Sequence, residues 1–232
     1  MSSAKSALRE AFIATTPVMA GYIVLGMGFG VLLSTKGYGP LWALAMSGFI
    51  YAGSMQYLTI DLLTGGASLI TATLTTLLVN ARHLFYGISM VEGYRGMGRK
   101  KPYAIFALTD ETYSLVCQDG HPTKEERHRY AFRVSVFNQL WWVSGSMIGS
   151  LLGEIIPFDV TGIDFALTAL FLTVFIEQWL STKDHASAII GVTASVLCVM
   201  IFGSGNFLIP AMISILIALT ILRRVRKEDA HE

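Results

Sequence analysis

Charge is what this chain has least of. Asp, Glu, Lys and Arg make up 14% of its 232 residues, where an ordinary soluble domain carries about 25%. That deficit excludes a water-soluble globular domain, and the charged stretches shrink to residues 94–101, 119–133 and the tail after Leu222. The net charge of +1 says nothing of partners, because placement matters more than the sum; no nucleic-acid partner is expected. Cysteine is nearly absent too. Cys117 and Cys198 lack metal-ligand spacing and read as small buried thiols, so no metal and no cofactor is expected. A signal-peptide cleavage site is missing: Ala11–Leu33 is too long and leads into further apolar sequence, which makes it a first span. Gly26, Gly28 and Gly30 lack the G-x-G-x-x-G spacing and its strand–turn–helix context. No H-E-x-x-H occurs, and Gly203-Ser204-Gly205 lacks a full nucleophile context.

What fills the chain is apolar sequence. Hydrophobic residues make up 53%, and a stretch of about 20 such residues spans about 30 Å of hydrocarbon. Candidate segments are Ala11–Leu33, Leu41–Leu63, Ala67–Met90, Pro102–Cys117, Phe132–Leu152, Phe165–Ser181, Ala186–Phe202 and Phe207–Leu222. Positive charge belongs in cytoplasmic loops. If every segment crossed, either Arg95, Arg99, Lys100 and Lys101 or the tail with Arg223, Arg224, Arg226 and Lys227 would lie outside. Pro102–Cys117 is short, opens on proline and carries Asp110 and Glu111, so it reads as re-entrant or cavity-lining. The expectation is therefore an all-α polytopic membrane protein. It has about seven transmembrane helices plus a re-entrant or broken segment, N-terminus out and C-terminus in, with only Lys5 and Arg9 dissenting. An alternative makes Ala67–Met90 the re-entrant piece. Residues 1–232 read as a single transmembrane domain. A faint repeat sets Val24–Leu33 against Val143–Leu152, giving candidate halves 9–92 and 129–222. Offset by an odd number of crossings, the halves would be inverted, a plan common in secondary transporters. Gly26 and Gly30, like Gly145, Gly149 and Gly153, have the small-xxx-small spacing that lets helix backbones approach.

Against this apolar ground a few polar residues stand out. Asn80, Arg82 and His83 follow the uncharged run 67–79 directly, and an arginine in a bilayer costs roughly 2.5–3.5 kcal/mol on insertion scales. Such a residue has a partner or a watery cavity. Arg82 either caps a helix end and snorkels or binds a substrate carboxylate with its planar fork. Asn80 and His83 share a helical face. Ser47, Tyr51 and Ser54, at i, i+4 and i+7, line one face of the second span, with Gln56 pointing elsewhere. Thr109, Asp110 and Glu111 form another cluster, whose carboxylates either carry a proton if desolvated or pair with Arg82 for architecture. Glu177 and Gln178 mark a last polar point beside Trp179.

Read together, Ile50–Gln56, Val79–Gly87, Ala107–Tyr113, Ile163–Ala169 and Phe175–Trp179 resemble the AzlC family of branched-chain amino-acid exporters. The resemblance implies export of leucine, isoleucine and valine, with methionine a further candidate, across a bacterial inner membrane. It also implies a small AzlD-type membrane subunit as partner, with lipid around both. The physical reading places Asn80, Arg82, His83, Tyr51, Ser54 and Gln56 at the substrate and Asp110 and Glu111 at proton coupling, with Phe85, Met55 and Phe171 as walls. Coupling to a proton or ion gradient is expected, since no nucleotide-binding element is present. A channel or scaffolding subunit and an intramembrane hydrolase using His83, His185 or Ser204 are the competing classes.

Overall fold

The computed structural model describes residues 2–117, 123–155, 165, 168, 172, 175–176, 179–180, 182–203 and 207–228. Among these the regular structure is helical. In chain order the helices are α1 (Ser2–Thr35), α2 (Pro40–Phe49), α3 (Gly53–Thr64), α4 (Leu69–Val79) and α5 (Arg82–Met90). After them come α6 (Lys101–Phe106), α7 (Asp110–Val116), α8 (Lys124–Ile155), α9 (Ala186–Phe202) and α10 (Leu208–Glu228). The chain divides into two compact units, Met1–Ala72 with Val79–Leu167, and Thr73–Leu78 with Thr168–Glu232. Among the described residues one stretch, Ala7–Thr35, is helical, long and apolar enough to cross a membrane. Several shorter apolar helices accompany it.

Local chemistry sets the ends of these helices. Proline opens α2 and lies in the first turn of α6, where its missing N–H would be unpaired anyway. Ser68 and Thr123 cap α4 and α8, accepting from Thr71 N and Glu126 N. The Thr123 hydroxyl also donates to the Glu126 carboxylate at 3.0 Å, tying the cap to the first turn.

The first unit is organised by α1 and α8, at 1.5 Å per residue about 51 and 48 Å long. Their sequence numbers climb together along the contact. Phe12 meets Phe137 and Trp141 edge-on, Tyr22 meets Trp142 at 5.5 Å between rings, and Gly153 lies against Ser34. The two helices therefore run parallel. Glycine makes the approach possible. A β-carbon on Gly26 would come 2.9 Å from Ser146 N, and one on Gly145 2.6 Å from Ile23 O. On Gly30 and Gly149 it would run into the main chain of Ser146 and Met27. The small-xxx-small spacing is a backbone-to-backbone seam, as the sequence expects.

The second apolar segment is not one helix. It breaks at 50–52, where Tyr51 takes φ 44°, a left-handed conformation that only Tyr51 adopts among the described non-glycine residues. Such a conformation costs of order 1–3 kcal/mol and persists where surroundings over-determine it. Here Tyr51 is buried with its ring against Phe106. The break reverses the chain. Ser47 and Gln56, about 14 Å apart along a continuous helix, share a 3.2 Å hydrogen bond from Gln56 Nε2 to Ser47 Oγ. Ser47, Tyr51 and Ser54 thus do not line one helical face, and Gln56 turns toward Ser47 rather than away.

Two further breaks follow. Asn80 and Ala81 interrupt the third segment, where His83 N and Leu84 N reach back only three residues, to Asn80 O and Ala81 O. Asn80 and His83 accordingly do not sit on a regular helical face; the His83 ring instead bonds Asn80 O at 3.2 Å. Ala107–Thr109 separates α6 from α7, and Thr109 caps α7 by accepting from Thr112 N at 3.2 Å.

In the second unit α9 packs on α10, with Cys198 Sγ 3.8 Å from Ser214 Oγ. Trp179 stacks on His185 with ring centres 4.0 Å apart.

Candidate functional site

The two folded-back segments, α2–α3 and α6–α7, enter the first unit from opposite ends. Gly39 at the start of α2 lies beside Glu154 near the C-terminus of α8, whereas Lys100 ahead of α6 lies over Phe132 near its N-terminus. Both reach the same level. Gln139 donates from Nε2 to Gly48 O at 3.0 Å and accepts from Tyr103 Oη at 2.7 Å, so one amide ties α2 and α6 together. One position before it, Asn138 Nδ2 donates to Thr112 Oγ1 at 3.0 Å. One turn on, Trp142 Nε1 donates to Gln56 Oε1 at 2.8 Å. Asn138, Gln139 and Trp142 thus hold α7, both α2 and α6, and α3. The bond to Gly48 also pairs a half-buried main-chain carbonyl in the last turn of α2, just ahead of the break.

Hydroxyls converge where the tips meet. Tyr22 Oη lies 2.7 Å from Thr109 Oγ1 and 2.6 Å from Glu111 Oε2. Thr109 Oγ1 donates to Thr112 Oγ1 at 3.1 Å. The Tyr51 hydroxyl lies against those of Tyr22 and Thr109, within electrostatic reach of Glu111. Tyr22, Tyr51, Thr109 and Thr112 are buried, and Glu111 is the exposed member.

A chain of aromatic contacts joins this point to the break at Asn80. His83 meets Tyr86 edge-on, Tyr86 stacks on Tyr113 with ring centres 4.8 Å apart, and Ser89 Oγ donates to Tyr113 Oη at 3.2 Å. Both α5 and α7 run toward the N-terminal end of α8, since Gly93 O lies 3.1 Å from His128 Nε2 and Val116 packs with Ala131 and Val134. The first turn of α5 is therefore level with the first turn of α7. Asn80, His83 and Asp110 are half-buried.

Between α5 and α6 lies a cavity of about 280 Å³, lined mainly by His83, Leu84, Gly87, Tyr94, Ile105 and Leu108. That is near the lower end of protein ligand pockets, roughly 300 Å³. In the turn after α5, burial pushes the Tyr94 hydroxyl up to about 12, against the pull of Arg127. Tyr94 lines this cavity as a neutral group.

Of the sequence-predicted residues, Tyr51, Asp110 and Glu111 come together at the tips, with Asn80 and His83 on the neighbouring level. Ser54 is buried at the start of α3, and Gln56 spends its amide on Ser47 and Trp142. The side chains of Arg82 and Phe85, and the residues Glu177, Gln178, Phe171 and Ser204, lie outside the described residues. Sequence reading missed Tyr22, Asn138 and Gln139. The Asn-Gln pair inside the apolar run 132–152 was the available signal.

A helical membrane protein with interrupted helices meeting around buried polar groups is the class that this arrangement defines. The family model described as AzlC protein matches residues 17–156. The "Branched-chain amino acid transport protein AzlC" of Bacillus subtilis is 42% identical over 219 residues, covering 94% of this chain and 86% of that one. An "Uncharacterized membrane protein" of Helicobacter pylori strain 26695 is 38% identical over 94% of this chain and 96% of its own. The "Inner membrane protein YgaZ" of Escherichia coli is 27% identical over 78% and 77%. No solved structure matches. The chain belongs to the AzlC family, and it is a bacterial inner-membrane protein.

Proposed function

We propose that the chain is the large subunit of a secondary transporter that exports branched-chain and related hydrophobic amino acids across the inner membrane. Transport rather than catalysis is the function of the family. The observation that carries the mechanism is the meeting of two folded-back segments at a buried cluster of hydroxyls with a carboxylate. Discontinuous helices near the midplane are where secondary transporters bind substrate and coupling ions.

The substrate is a zwitterion with a greasy side chain. Its ammonium needs acceptors, which Asp110, Glu111 and the Tyr51 hydroxyl offer at one level. Its carboxylate needs a cation, which Arg82 supplies from the first turn of α5 with Asn80 and His83 beside it. Leu84, Ile105 and Leu108 line an apolar space for the side chain. Ser54 and Gln56 support the site from α3, Gln56 by fixing the hairpin. Asp110 and Glu111 couple the step to the proton gradient, and an AzlD-type small subunit completes the assembly.

The geometry also favours a topology of six crossings, since Leu41–Leu63 folds back on itself instead of crossing. With the apolar run 165–181 counted from its sequence alone, the crossings are α1, α4 with α5, α8, that run, α9 and α10, with α2–α3 and α6–α7 as re-entrant hairpins from opposite sides. Both termini then face the cytoplasm, and Lys5 and Arg9 obey the positive-inside rule; Lys36 becomes the exception. The parallel seam of α1 on α8 does not favour 9–92 and 129–222 as inverted copies. The better inverted pair is α1 with its hairpin and α5 with α6–α7. In a background lacking Cys117 and Cys198, Gly37→Cys and Gly65→Cys should both react with an impermeant maleimide in intact cells. Labelling of one without the other would restore a crossing between them.

The binding site is tested by Arg82→Ala and Asp110→Asn, each expected to abolish valine efflux from preloaded vesicles at unchanged abundance. Unchanged efflux in both removes these residues from the site. Trans-stimulated valine counterflow in the wild type separates a carrier from a pore.

A further inference from the structure

The cavity between α5 and α6 has a polar end to which no role has yet been given. Its walls are two faces set against each other. His83, Gly87 and Tyr94 follow one another down one side of α5 and the turn after it, and Lys101, Ile105 and Leu108 do the same along α6 and just past its end. His83 and Leu108 stand level with the tips of the hairpins. Tyr94 and Lys101 stand at the other end, beyond the length of α5, which is about 12 Å. That end is the cytoplasmic one in the topology above, with Arg99 and Lys100 beside it in sequence.

Two hydrogen-bonding groups at this end are unspent. Tyr94 is 2% exposed, and its hydroxyl has no partner among the described residues. A buried polar group in that state calls for a ligand or an ordered water. Lys101 is half-buried, and among the described residues no carboxylate pairs with it. Glu92, in the turn after α5, is exposed and faces Arg95 instead, at 3.3 Å. From α8, Arg127 adds a second positive charge to the surroundings of Tyr94. An ammonium and a phenol proton therefore converge at the foot of apolar walls. Such a space suits a small molecule that is anionic at one end and apolar at the other. Its 280 Å³ has room for one leucine, but not for the paired acyl chains of a phospholipid.

We propose that Lys101 and Tyr94 form a loading seat for the carboxylate of the exported amino acid, on the cytoplasmic side of the Arg82 site. This rests on the transport reading above and deepens it. The carboxylate meets the Lys101 ammonium and accepts the Tyr94 proton, while the side chain lies between Gly87 and Ile105. On passage to the tips the side chain keeps to the same apolar space, and the carboxylate exchanges Lys101 for Arg82. Gly87 leaves the width that this needs, since a β-carbon there would meet nothing within 4 Å.

The test places a thiol in the cavity, as Gly87→Cys in a full chain lacking Cys117 and Cys198, held in phosphatidylcholine nanodiscs. Leucine should slow its reaction with N-ethylmaleimide. Isoamylamine, which is leucine without the carboxylate, should not. Lys101→Gln should raise the protecting concentration of leucine about tenfold or more, the weight of a charge-assisted bond, and Lys101→Arg should restore most of it. Tyr94→Phe should raise it about fivefold. Arg82→Ala should leave protection in place while efflux stops. Should Gly87→Cys not fold, Ile105→Cys reports from the opposite wall. Equal protection by isoamylamine, a protecting concentration unmoved by Lys101→Gln and Tyr94→Phe, or protection lost in Arg82→Ala overturns the proposal. So does labelling slowed by phosphatidylglycerol in the nanodisc and indifferent to leucine, which would make the occupant a lipid. Protection by leucine without valine counterflow in the wild type would instead sink the transport reading and leave the seat standing.

Discussion

Gly149→Val will remove folded protein from the membrane, whereas Gly21→Ala, on the same helix pair, will not. A β-carbon at Gly149 meets the main chain of Met27, which cannot rotate out of the way as a side chain would; at Gly21 nothing lies within 4 Å. Overpacking costs typically about 1–3 kcal/mol where neighbours can adjust, and here the only adjustment is to push α1 away from α8 along their whole contact. Membrane abundance and thermal unfolding in detergent measure the effect. Equal behaviour of the two variants would mean that the seam is not closed in the membrane.

The second large effect belongs to Gln139. Gln139→Leu keeps an apolar side chain of similar size but leaves Gly48 O without its donor and Tyr103 Oη without its acceptor. Each half-buried partner so orphaned costs up to about 1–3 kcal/mol, and both hairpins lose one tie to α8 at once, those through Asn138 and Trp142 remaining. Loss of valine transport together with a lowered unfolding temperature is expected. Tyr103→Phe, which removes the bond to one hairpin only, should cost less. Should Gln139→Leu match the wild type in both measurements, α8 does not hold the hairpins through this amide.

The sequence was most legible where physics is one-dimensional. Apolar runs declare helices, and glycines spaced by four declare a close helix contact, so α1, α8 and the seam between them follow from composition and spacing. The polar cluster 109–111 and the oddity of 102–117 were visible for the same reason, because carboxylates in apolar sequence need an explanation. The break at Tyr51 was not legible. No proline sits there, and the left-handed backbone is imposed by burial among residues distant in sequence, Phe106 and Thr109 above all. That single hidden turn converted an expected crossing into a hairpin and redirected Gln56. Asn138 and Gln139 escaped notice because the run 132–152 also carries Arg133 and four serines, and nothing in the pattern singles the pair out. Their meaning lies in which carbonyls and hydroxyls they reach. Family resemblance carried the functional class, but not the assignment of individual side chains.

Interlocked backbones between the first and eighth helices leave no room for one to slide or roll over the other. Whatever conformational cycle carries cargo past this point must therefore be carried out by the small pieces, tilting against an unmoving mast. Access could pass from one face of the bilayer to the other by displacement of a hairpin only a few turns long.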